Sequence, residues 1–203
     1  MKALTKDPTN LLVVGVGGQG NVRMAGLIGS TLIRQCYSVS IGDTLGAAQR
    51  GGSVTSHIRI ATKPGYGPLI PEGHADIILG LEPIETLLAL GKYGNPNVVT
   101  IVNPRPIYSV EVLSGRTKYP DLEELIRRIR ELSSKCWVVP ATDEALKQGN
   151  PVFANIILIG ALIGTSLLPL DRKAMEPVLR EDFPKQFDAN IKFLDKGMEL
   201  VKK

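Results

Sequence analysis

Two glycine-rich segments hold the residues best suited to chemistry. The first, Gly15-Val16-Gly17-Gly18-Gln19-Gly20, follows the apolar run Leu11-Leu12-Val13-Val14. Glycines at 15, 17 and 20 allow a sharp turn and a close backbone approach to a phosphate. A helix starting there would aim unpaired N–H groups and a positive dipole end at an anion. The same spacing arises where a helix must only pack tightly on a sheet, and Gly26 and Gly29 further along fit that second reading. The other segment is Gly46-Ala47-Ala48-Gln49-Arg50-Gly51-Gly52-Ser53. Its glycines permit backbone angles closed to other residues. Arg50 offers a planar fork of donors suited to phosphate or carboxylate, and Gln49 both donates and accepts. An alternative for Arg50 is a salt bridge that holds the loop or meets a neighbouring subunit. Asp43 stands where an acid could bind a ribose hydroxyl, but a loop acid or helix cap is the preferred reading.

Further pieces follow in a fixed order: Pro68-Leu69-Ile70-Pro71-Glu72-Gly73, then Ala75-Asp76-Ile77-Ile78-Leu79-Gly80-Leu81-Glu82-Pro83, then Val102-Asn103-Pro104-Arg105-Pro106-Ile107. Gly149-Asn150, Asn155 before Leu158-Ile159-Gly160-Ala161-Leu162, and Asn190 with Gly197 complete the pattern. With Ala48-Gln49-Arg50-Gly51-Gly52-Ser53-Val54, they make essentially the whole chain resemble the gamma-type subunits of the 2-oxoacid:ferredoxin oxidoreductases. Within that family the beta (small) subunits of the indolepyruvate:ferredoxin oxidoreductases are most alike. The Gln-Arg-Gly-Gly-Ser motif is specific to the family; the first glycine motif is not.

The resemblance implies an assembly that oxidatively decarboxylates 2-oxoacids such as aryl pyruvates to acyl-CoA. Thiamine diphosphate, Mg and iron–sulfur clusters are then expected in a large partner subunit, and ferredoxin takes the electrons through the complex. This chain is expected to bind none of those groups alone. It would form the accessory half of a shared site and contact coenzyme A. Gly15, Gly17, Gly18, Gln19, Gly20, Gln49, Arg50, Gly51, Gly52 and Ser53 are the expected cofactor-binding residues, with no catalytic residue of its own. Two rivals stay open: a stand-alone nicotinamide-dependent oxidoreductase built on Gly15–Gly20 and Asp43, and a non-catalytic scaffold.

Composition narrows the classes. Two isolated cysteines, Cys36 and Cys136, cannot supply the four thiolates an iron–sulfur cluster usually takes. His57 and His74 lack metal-ligand spacing and are read as non-ligands. The net charge of +4 comes without a long basic run, which leaves nucleic-acid binding unsupported. No secretory signal is visible, so a cytoplasmic protein with reduced thiols is expected. Val152 to Leu168 is uncharged and mostly apolar, with Gly160 and Gly164 at a spacing that also serves membrane helix pairs. Bounded by Pro151 and Pro169 and interrupted by polar residues, it reads as a buried helix, not a membrane span.

These residues need a frame. The pattern predicts strands at 11–16, 38–42, 53–61, 76–81, 97–102 and 137–140. Helices are predicted at 20–36, 84–91, 121–135, 143–148, 153–167, 172–180 and 185–201. Such alternation implies an α/β fold: a largely parallel, Rossmann-like sheet with helices on both faces and a helical C-terminal region, one gamma-type domain over 1–203. Val54, Ser56, Ile58 and Ile60 alternate with Thr55, His57 and Arg59, which predicts a half-buried strand. In the helix at 121–135, Asp121 caps and Glu124 takes the capping-box position. Glu123–Arg127 and Glu124–Arg128 would pair along its polar side. Residues 103–120, rich in proline, form a long loop of the kind that carries function or contacts partners.

Overall fold

Every residue of β1 (Thr9–Val16) is buried. Alternate side chains leave a strand in opposite directions. Leu11 and Val13 enter one apolar cluster, and Leu12 and Val14 enter another. Two-sided burial is the condition of a strand inside a sheet covered by helices on both faces. The computed structural model describes residues 4–46 and 51–202. After β1 come α1 (Asn21–Arg34), β2 (Ser38–Leu45), β3 (Ser53–Ala61), β4 (Ile77–Gly80), α2 (Pro83–Tyr93) and β5 (Val99–Val102). Then follow α3 (Val110–Leu113), α4 (Leu122–Glu131), β6 (Lys135–Val138), α5 (Ala141–Leu146), α6 (Ala154–Gly164), α7 (Arg172–Asp182) and α8 (Phe187–Leu200).

The sheet has the order β2-β3-β1-β4-β5-β6. Its pairs β1–β4, β4–β5 and β5–β6 are parallel, whereas β3 pairs antiparallel with both β1 and β2. β3 is thus the one reversed strand, and the α/β reading holds with a hairpin inserted. That hairpin lengthens β2 to Leu45, beyond the expected 38–42, and the Gly46 N–H closes it on the Ser53 carbonyl at 2.7 Å. α1, α6, α7 and α8 contribute to the first cluster, α2 and α4 to the second.

β3 departs from the half-buried expectation. His57 is buried because the segment before β4 folds over it: the Ile70 N–H donates to His57 Nδ1 at 3.2 Å, and the Tyr93 ring meets the imidazole edge-on. Asp43 is neither a loop acid nor a cap. It lies in β2 opposite Ser56, whose hydroxyl donates to it at 2.5 Å. α4 keeps its predicted cap, with Asp121 accepting from the Glu124 N–H at 2.9 Å, but ends at Glu131 because β6 begins at Lys135. Arg127 pairs with Glu124 and Glu131, not with Glu123. The long loop contains the one-turn helix α3.

The apolar stretch becomes α6, crossing α8 at backbone contact. A methyl group at Gly160 would overlap the Leu194 carbonyl, and one at Gly197 would overlap the Ile157 carbonyl. The small residues therefore serve an internal helix pair. Among the described residues no helix is long and apolar enough to cross a membrane. Gly29 has a packing role, since a Cβ there would sit 2.6 Å from Ile41 Cδ1. Gly26 does not; it faces open space.

Candidate functional site at the C-terminal edge of the sheet

The two glycine segments meet. The Gly17 N–H donates to the Gly52 carbonyl at 2.8 Å. Gly18 and Gly20 take φ of 97° and 85°, which makes the turn out of β1 a glycine turn. Gln19 braces it from within: its Oε1 accepts from the Val16 N–H at 2.8 Å, and its Nε2 donates to the Leu81 carbonyl at 3.2 Å. Gly15 lies inside β1 and makes room for that brace, because a Cβ there would stand 2.6 Å from Gln19 Oε1. Asn155 at the start of α6 donates to the Gln19 carbonyl at 2.7 Å, so the C-terminal helices grip the same turn. Gly51, with φ of 72°, Gly52 and Ser53 lead into β3 beside it. Gln49 and Arg50, with Ala47 and Ala48, lie outside the described residues.

A cavity of about 450 Å³ opens on this turn, at the carboxyl ends of β1, β4 and β5. β1 and β4 are adjacent parallel strands whose following helices, α1 and α2, cover opposite faces, which makes this a topological switch point. Gly18, Gln19 and Gly20 form one wall, Asn103, Arg105 and Ile107 another. Arg23 lines it from the first turn of α1, its guanidinium 4.2 Å from the centre of the Phe183 ring. No aspartate or glutamate is among the described lining residues. No side chain caps α1, so its first N–H groups add to the positive potential. Asn103 fixes the floor, donating to the Leu81 carbonyl at 3.2 Å and to Thr142 Oγ1 at 2.9 Å. A second cavity, about 590 Å³, lies between the glycine turn and the β2–β3 hairpin and includes Gly17, Gly52 and Ser53.

The family model for pyruvate ferredoxin/flavodoxin oxidoreductase matches residues 10–200. The chain belongs to that family. Indolepyruvate oxidoreductase subunit IorB of Archaeoglobus fulgidus is 38% identical over 93% of this chain and 92% of its own length. The protein of the same description from Pyrococcus horikoshii is 37% identical over 95% and 96%. Among solved structures, pyruvate oxidoreductase subunit PORC of Thermotoga maritima aligns with TM-score 0.68 and 19% identity, covering 96% of this chain and 97% of that one. The 2-oxoglutarate:ferredoxin oxidoreductase of Magnetococcus marinus, solved with 2-oxoglutarate, coenzyme A and succinyl-CoA bound, aligns with TM-score 0.75 and 19% identity. There the match covers 97% of this chain but 31% of the other. At that identity these structures establish the common fold.

Of the groups such oxidoreductases use, a metal or cluster does not fit the described residues. No group of three His, Cys, Asp or Glu side chains among them is placed to hold a metal ion. Cys36 and Cys136 are free, and burial pushes the Cys136 thiol up, away from the thiolate a metal needs. A polyphosphate-bearing ligand does fit, because the cavity pairs two guanidinium groups with glycine backbone and no acid lines it, although Arg105 also meets the exposed Asp143 outside the lining at 3.7 Å. The dinucleotide reading fits poorly. β3 separates β2 from β1, and Asp43 is already bonded to Ser56.

Arg23 lines the cavity, and Glu82 and Tyr119 lie behind its wall; sequence patterns singled out none of the three for a role. Arg23 sits three residues past Gly20, and only the helical phase of α1 turns it toward the cavity. Glu82 stands in a quoted motif, but its partners come from distant segments.

Proposed function

We propose that this chain is the small subunit of a thiamine-diphosphate-dependent indolepyruvate (aryl pyruvate):ferredoxin oxidoreductase and supplies the coenzyme A side of its shared site. One observation carries the reading. A chain similar over nearly all its length to IorB proteins presents, at its glycine turn, a cavity lined by two arginines and by no acid.

Coenzyme A, when bound, supplies the thiol that accepts the acyl group. Arg23, Arg105 and the N-terminal turn of α1 would hold its phosphates, as charge-assisted donors do. Apolar Ile107, Val152 and Phe183 would receive its uncharged arm and keep water from it. Gly52 and Ser53 are assigned to the second cavity and the partner that closes it; Gln49, Arg50 and Gly51 keep their expected role toward cofactor or partner on the sequence motif alone. Val22 and Leu45 line that cavity at 52% and 69% exposure, Val152 the first at 71%. Apolar groups left open around polar clefts suit a surface that another subunit covers. Thiamine diphosphate, Mg and the clusters are assigned to the large partner, which passes electrons to ferredoxin. The free cysteines accord with a cytoplasmic setting.

The test is reconstitution. Purified alone under anaerobic conditions, the chain should be colourless and inactive. Mixed with the large subunit, it should restore ferredoxin reduction that depends on both aryl pyruvate and coenzyme A. Turnover by the chain alone, or stoichiometric iron–sulfur absorbance, would sink the proposal. Saturable micromolar binding of NAD or NADP in calorimetry would favour the dehydrogenase rival.

A further inference from the structure

The N-terminal turn of α2 holds a carboxylate that lines neither cavity. Glu82 is 2% exposed, and a buried carboxylate is costly unless its oxygens are well satisfied. One oxygen, Oε2, accepts from the Glu85 N–H at 2.9 Å and caps α2. The other, Oε1, accepts from the Tyr119 hydroxyl at 2.6 Å and from the Ile107 N–H at 3.4 Å.

Ile107 and Tyr119 are the two ends of one exposed segment. Between them, α3 buries no residue, and its Val110 and Leu113 are each 73% exposed. Apolar burial therefore cannot fix the segment in place. Its base is fixed instead by the shared oxygen of Glu82, helped by the Tyr108 ring set edge-on to Tyr119 at 5.3 Å. A compact surface loop whose ends meet in this way is an Ω-type loop. Two residues before it lies Arg105, and Ile107 itself forms cavity wall.

We infer that Glu82 is a positioning residue: its Oε1 latches both ends of segment 107–119 and thereby sets the wall of the coenzyme A cavity at Arg105 and Ile107. The inference rests on the proposed function for its consequence, but not for the latch itself. A carboxylate suits the task because it only accepts, and three donors converge on it. Glutamine would point an NH2 group at one of them. Burial, with the Glu82 charge and hydrogen bond, pushes Tyr119 ionisation far above its ordinary range, so the hydroxyl remains a donor at any working pH.

The experiment uses Tyr119→Phe, which keeps the ring and removes one donor, with Glu82→Gln as the second variant. Hydrogen–deuterium exchange of the full chain reads the latch. Exchange in 107–118 should rise about tenfold, the worth of one hydrogen bond to a charged group, while β1 and β4 stay unchanged. In the reconstituted complex the KM for coenzyme A should rise about tenfold, with kcat and the KM for the oxoacid unmoved. A merely structural role would speed exchange throughout the sheet. Unchanged exchange at 107–118 in both variants overturns the latch, as does a rise spread evenly over the strands. Local loosening with an unmoved KM for coenzyme A overturns its effect on the cavity. If the parent complex never saturates with coenzyme A, the proposed function fails, and exchange alone still decides whether Glu82 latches the segment.

Discussion

The crossing of α6 and α8 and the segment over the sheet edge are held by opposite means. At the crossing, Gly160 and Gly197 leave so little between the helices that backbone meets backbone, and Phe153 stacks on Phe193 at 4.3 Å beside it. Over the sheet edge, residues 104–120 bury little, and a few polar bonds to Glu82, with the Asn103 floor beneath, hold their position. Close-packed contact fails all at once, because neighbouring atoms have nowhere to move. Hydrogen-bonded surface can loosen locally while the core stays folded. The first region supplies stability to the frame; the second can adapt to a ligand or partner.

The strongest way to break the comparison is to add one carbon at the crossing. Gly197→Ala would drive a methyl into the Ile157 carbonyl, and backbone cannot swing aside as a side chain does. A loss of about 3 kcal/mol or more is expected from urea unfolding, at the upper end of overpacking costs. A parent-like midpoint would show that the crossing tolerates separation. Substitutions at the edge should behave in the opposite sense. Arg23→Ala removes an exposed side chain and should leave the melting temperature near the parent value. It should weaken coenzyme A binding in the complex about tenfold or more, the cost of losing a charge-assisted hydrogen bond. Arg50→Ala should likewise leave melting of the isolated chain normal while turnover or subunit association falls. Arg50→Lys should rescue poorly, since an ammonium cannot reproduce the guanidinium fork. If either alanine variant melts much earlier, that arginine belongs to the frame and not to the site.

A smaller effect sharpens the boundary between the two regimes at His57, a polar group inside the frame. Burial holds its pKa below the ordinary 6.5; nearby Asp43 pulls it up and Lys92 pushes it down further. Nδ1 accepts the Ile70 N–H, so the folded imidazole is neutral. As pH falls below 6.5, the unfolded chain takes up a proton before the folded one does. Stability is therefore full above that value and declines toward the lower folded pKa. Urea midpoints at about pH 7.5 and about pH 5.5 should differ in that direction, and His57→Gln should flatten the difference. An unchanged slope in the variant would assign the decline to other groups. The smallest effect belongs to Arg127. Its partners Glu124 and Glu131 share an open surface with it, and Arg127→Ala should give no resolvable change in midpoint.

Much of the frame was legible in the chain because it depends on local pattern. β1 declared itself by its apolar run, α4 by Asp121 and its apolar face, and α6 by an uncharged stretch between prolines. The hairpin was less legible. The segments 38–42 and 53–61 read as strands, but no local signal says that the first runs on to Leu45 or that β3 would enter between β2 and β1. The burial of His57 was hidden for the same reason: its cover comes from Ile70 and Tyr93, on later segments. Asn155 stood out in the sequence as a motif residue, yet its bond to the Gln19 carbonyl spans most of the chain and could not be read from spacing.

The sequence by itself determined most of the elements, the family and the two glycine-rich segments, since each follows from residues close together along the chain. Tertiary structure alone decided that these segments meet, that Gln19 braces from within, that Arg23 and Arg105 line one cavity, and that Glu82 gathers Ile107 and Tyr119. The physical reason is one of range. Periodicity and capping energies act over a few residues, whereas cavities and buried hydrogen bonds depend on how the sheet order brings distant segments together.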